Sequence, residues 1–61
     1  MTKNEFLNRL SEELATLDSM ERERMLQYYR EIIEDRVEDG LSEDQAVKEL
    51  EDIHEIAARI L

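Results

Sequence analysis

Sixty-one residues make room for one domain, and at that size a single apolar core only narrowly offsets the entropy of ordering the chain. The absence of cysteine excludes a disulfide framework and fits a reducing compartment, no signal-peptide core opens the sequence, and no run of about 18 uncharged apolar residues exists to cross a bilayer. The formal net charge of −9 is uneven, with five basic and six acidic side chains in residues 1–30 but three and eleven in residues 31–61, which sets the chain against direct binding to phosphate backbones or anionic lipid.

With no proline and one glycine among abundant Leu, Glu, Ile and Arg, the composition favours helix throughout. Thr2 and Glu5 have the spacing of a capping box, and Phe6, Leu7, Leu10, Leu14 and Leu17 follow on one arc of about 100°. Helix is therefore expected over 3–15. Asp18 and Glu21 form a second capping pair, and Gly40 supplies a left-handed stop, so a second helix is expected over 19–38. Ser42 and Gln45 start a third, with Leu41 and Ala46 placed as a hydrophobic staple.

After Leu50 two patterns compete. Asp52 and Glu55 are spaced to cap a separate helix, yet Ala46, Leu50, Ile53, Ala57 and Ile60 step by four, three, four and three, as an unbroken helix would. Two short helices over 43–50 and 53–61, with a tight junction, are the preferred expectation. The fold class is all-α, a small bundle of three to four short helices whose brief linkers pack consecutive elements together.

The apolar faces differ in width. Met25, Leu26, Tyr28, Tyr29, Ile32, Ile33 and Val37 sweep about 180° of the second helix, and the C-terminal segment is similarly broad. The first helix carries only a narrow stripe. The second helix is thus expected at the centre, flanked by the others, with some apolar face left over for another chain. Met25, Tyr28, Tyr29, Ile32, Arg36, Ile56 and Ile60 are the candidate partner-interface residues. Both tyrosines could instead be core or core-rim residues whose hydroxyls emerge into water. Met20 and Met25 suit either an adaptable surface or core gap-filling. Arg22 and Arg36 interrupt the arc one heptad either side of Tyr29, where long stems can cover the core or guanidinium groups can pair with a second subunit. The acidic surface serves solubility equally well as it would steer a basic protein partner.

Reaction chemistry finds little footing. His54 is the single histidine, and no nucleophilic triad can be assembled around it. Glu51 and His54 have the Glu-x-x-His spacing of di-metal bundles, but such a site needs a second copy and two further glutamates. Glu34, Asp35, Glu38 and Asp39 lack the alternation and central glycine of a calcium loop, and lone Gly40 cannot build a phosphate-cradling loop. Neither an enzyme nor a cofactor or metal protein is expected.

Glu5-Phe6-Leu7, Leu17, Glu21-Arg22, Tyr28-Tyr29, Gly40, Ser42-Glu43, Ala46-Val47, Leu50 and Ile56-Ala57 together resemble the HAAS signalling domain. Asp18 stands where that family often has proline, and Glu51 and Ile53 follow Leu50 where it usually has glycine and proline. The resemblance implies the N-terminal, cytoplasmic helical module of a bacterial membrane protein associated with a PadR-like transcription regulator. A structural module that dimerises its parent is the alternative. The apolar final pair Ile60-Leu61, without a C-cap glycine, is read as continuing into a longer, membrane-attached polypeptide.

Overall fold

The computed structural model describes all 61 residues as four helices without strands: α1 (Lys3–Glu13), α2 (Ser19–Glu38), α3 (Glu43–Lys48) and α4 (Ile53–Ile60). Its extents are 34 × 19 × 17 Å, and the long axis matches the roughly 30 Å that twenty helical residues span.

Each helix starts on a side-chain oxygen that accepts from an otherwise orphaned amide. At α1 the capping box is complete: Thr2 Oγ1 accepts from the Glu5 N–H at 3.2 Å while the Thr2 N–H donates to Glu5 Oε1 at 3.0 Å. Asp18 accepts from the Met20 N–H at 2.9 Å, Ser42 from Gln45 at 3.1 Å and Asp52 from His54 at 3.0 Å. None of these three has the reciprocal arm the sequence spacing suggested; Glu21, for example, turns to Arg24 instead.

The C-terminal ends are equally local. Beyond Glu38 the Gly40 N–H donates to the Val37 carbonyl and the Leu41 N–H to that of Arg36, the paired bonds of a Schellman motif. Gly40 sits at φ +108°, where an L side chain is strained. α1 stops at Glu13, two residues before the expected end, because the Leu14, Ala15 and Leu17 amides fold back onto Ser11, Glu12 and Leu14 in tighter turns. α3 likewise stops at Lys48 instead of residue 50, with Leu50 N–H bonded to the Val47 carbonyl.

The break between α3 and α4 is real and needs neither glycine nor proline. Asp52 adopts an extended backbone, φ −56° and ψ 140°, and caps the next helix. The stepped pattern from Ala46 to Ile60 survives the interruption, since Ala46 and Ala57 are buried and Leu50, Ile53 and Ile60 pack against the same core. A pattern that an unbroken helix would need is also met by two helices meeting at a capped corner.

The expectation that α2 is central is corrected. α1 packs against all three other helices, whereas α2 packs against α1 and α3, and its backbone stays apart from that of α4. Phe6, Leu7, Leu10 and Leu14 are all buried. A narrow stripe suffices for this because α1 is packed on by all three other helices and its large side chains share one core with them. Around it close Leu26, Tyr29 and Ile33 of α2, Ala46 and Val47 of α3, and Ile56 and Ala57 of α4, with the Phe6 and Tyr29 rings 6.1 Å apart at 59°.

Polar links fix the helix ends. The Met1 amino group meets Asp44 at 2.9 Å, the Lys3 N–H donates to Glu43 at 2.8 Å, and Lys3 Nζ reaches Glu34 at 2.9 Å. Glu43 and Asp44 thus sit in the first turn of α3, where negative charge is favoured, and also serve the start of α1. At the other end of α1, Glu13 lies 2.5 Å from His54 Nδ1 at the start of α4.

Candidate functional site

Rotation of 100° per residue separates the two tyrosines. Tyr29 turns into the core and is 7% exposed; Tyr28 points outward and is 55% exposed. Their rings meet edge to face with centroids 5.0 Å apart, so the buried ring holds the exposed one in place. The Tyr29 hydroxyl accepts from Arg59 Nη2 at 3.3 Å, a bond that spans the gap between α2 and α4. Arg59 also donates to Glu51 at 2.7 Å, so one guanidinium joins α2, the α3–α4 corner and α4. This hydrogen bond holds the Glu51 carboxyl below the usual glutamate range, and the bonds to Glu51 and then Tyr29 raise the already high value of Arg59.

The seven residues expected at a partner interface fall into four groups. Tyr28 is openly accessible. Met25, Ile32 and Ile60 are half-buried and packed against the core, leaving an edge toward solvent. Tyr29 and Ile56 are buried, the latter fully, so no partner reaches them while the fold is intact. Arg36 is occupied within the chain: Nη1 donates to the Ala46 carbonyl at 3.0 Å, near the C-terminal end of α3. Arg22 does the same for the Leu17 carbonyl at 3.1 Å. The two arginines therefore do more than cover apolar surface, since each satisfies a backbone acceptor at an element boundary.

On the outward side of Tyr28, α2 carries a shallow depression lined by Met20, Glu23, Arg24, Gln27, Tyr28 and Glu31. Met20, 69% exposed, is the most open of the large apolar side chains. It stands two turns before Tyr28, so both rise from the same side of a long helix. Arg24 and Glu31 escape an analysis of apolar periodicity because they are charged. Their signal is a spacing of seven residues that places opposite charges on one line beside an exposed aromatic.

The Glu-x-x-His pair does not converge. Glu51 is engaged by Arg59 and His54 lies against Glu13. No group of three or more His, Cys, Asp or Glu side chains is arranged to hold a metal ion. No helix is long and apolar enough to cross a membrane.

Four capped helices, an apolar core centred on α1 and a Tyr28-bearing α2 run through almost the whole chain, and comparison with known families covers the same span. No curated protein and no solved structure matches the chain. The HAAS family model matches residues 5–59, from the closing glutamate of the first capping box to the guanidinium that meets Tyr29, and the chain belongs to that family.

Proposed function

We propose that this domain is a non-enzymatic helical signalling module, the cytoplasmic part of a membrane protein, that communicates with a PadR-like transcription regulator by helix-face docking. The supporting observation is the outward ring of Tyr28, held edge-on by buried Tyr29 and accompanied by exposed Met20 on a twenty-residue helix. An aromatic ring with little freedom left to lose is a favourable anchor, because less ordering is needed on binding. The excess of carboxylates over cations suits a basic partner and speeds encounter more than it tightens the complex. The regulator itself is supplied by the family resemblance.

The test is a binding titration between the full-length parent protein and a PadR-like regulator from the same cell. Tyr28→Ala should weaken the complex about tenfold or more, the ordinary effect of truncating an aromatic anchor. Substitution at Ala58, an exposed α4 residue, should leave it unchanged. No measurable binding by the unaltered protein, or equal binding by Tyr28→Ala, would overturn the proposal.

A further inference from the structure

We infer that the Met20–Glu31 side of α2 pairs with the same side of a second copy of this chain, antiparallel, with Arg24 of each copy against Glu31 of the other. The inference rests on the proposal that this face is a docking surface and names one occupant for it.

Charge selects that occupant. Residues 20–31 hold Glu21, Glu23 and Glu31 against Arg22, Arg24 and Arg30, a balanced set, so the net charge of −9 lies wholly elsewhere. Two copies of so acidic a chain repel over most of their surfaces but not here. Arg24 and Glu31 are two turns apart, about 10 Å along the axis, and within about 20° of each other around it. An antiparallel pair with its two-fold axis between Gln27 and Tyr28 brings each arginine onto the opposing glutamate, giving two ion pairs from one symmetry operation. The Tyr28 rings then lie beside the axis. A parallel pair would set like charges together, and so would an antiparallel pair centred on Arg24. Both side chains are free to form these bonds: Arg24 is 71% exposed and reaches Glu21 only at 3.4 Å, and Glu31 accepts only from Gln27 of its own helix. No core side chain has to move.

The experiment is sedimentation equilibrium across concentration for the whole 61-residue chain, which carries its own core. The unaltered chain should dimerise reversibly. Arg24→Glu and Glu31→Arg should each weaken self-association about tenfold, because two attractions become two repulsions. Mixing the two variants should restore pairing, since the first then presents only carboxylates and the second only cations at these positions. The double variant should also pair. Circular dichroism of these exposed-site variants should match the unaltered chain. A chain that stays monomeric at millimolar concentration, or single variants that pair as well as the original, overturns the inference.

A regulator titration separates the two proposals. Tyr28-dependent regulator binding by a strictly monomeric domain would remove the second copy and leave the docking face. Charge-swappable dimers that ignore the regulator would do the reverse.

Discussion

Tyr28 and Tyr29 are chemically identical neighbours whose substitutions should have opposite consequences. Tyr29→Ala empties a core position between α1 and α4 and should cost about 3–5 kcal/mol. A domain of this length has only about 3–9 kcal/mol in hand, so that variant should be largely unfolded by circular dichroism. Tyr28→Ala, on the exposed side, should shift the denaturation midpoint by no more than the equivalent of about 0.5 kcal/mol. Glu5 behaves differently because its effect depends on pH. Its bonds with the Thr2 backbone amide, and then the Thr2 hydroxyl, hold the carboxyl below its ordinary value of 4.5. A group whose folded value is lowered contributes stability that is complete above its unfolded value and is lost as pH falls through the folded one. The stability gap between the unaltered chain and Glu5→Gln should therefore be constant near neutrality and close below about pH 4.5. Urea denaturation at a series of pH values reads this directly, and a gap that widens in acid would contradict the assignment.

At the level of helices, much was legible because punctuation is local. Thr2, Asp18, Ser42 and Asp52 each cap the helix they were expected to start, and Gly40 ends α2 with a positive φ. The ends of α1 and α3 were less legible, since a turn that tightens by one hydrogen bond leaves no mark on residue choice. The central place of α1 was not legible either. Periodicity measures how wide an apolar stripe is, not how many neighbours share it, and α1 uses few residues against three helices. Of the proposed interface, Tyr28 could be found from its position at the edge of the apolar arc. The burial of Tyr29 was not legible, because the Arg59 bond that closes over it joins residues thirty positions apart, and that of Ile56 depends on packing between helices distant in sequence. Gly40 gives the sharpest test at this scale. A β-carbon there would meet no atom within 4 Å, so the cost of Gly40→Ala is conformational alone. It should lower stability by about 1 kcal/mol or more, visible as a lower melting temperature with unchanged helix content.

For the molecule as a whole, charge opposes compaction. Seventeen acidic side chains face eight basic ones, and the ion pairs that join the helices are surface bonds, such as that between Lys3 and Glu34. Raising sodium chloride screens both, but the repulsive excess is larger, so the melting temperature of dilute protein should rise with salt. A melting temperature that falls with salt would mean that the few ion pairs outweigh the unbalanced carboxylates.

The gap between α2 and α4 has a mechanical side. α4 is eight residues long, too short to persist by itself in water, and its close packing is with α1. Residues 49–52 behind it contain a capped corner and no regular helix. Across that corner the Arg59–Tyr29 hydrogen bond is the side-chain link from α4 to α2. Detachment of α4 would expose Ile56 and Ala57 while the other three helices keep their mutual contacts. A pull on the last turn of the domain is therefore shared between the core contacts of Ile56 and Ala57 and the Tyr29 hydroxyl, whose ring meets that of Tyr28 edge to face.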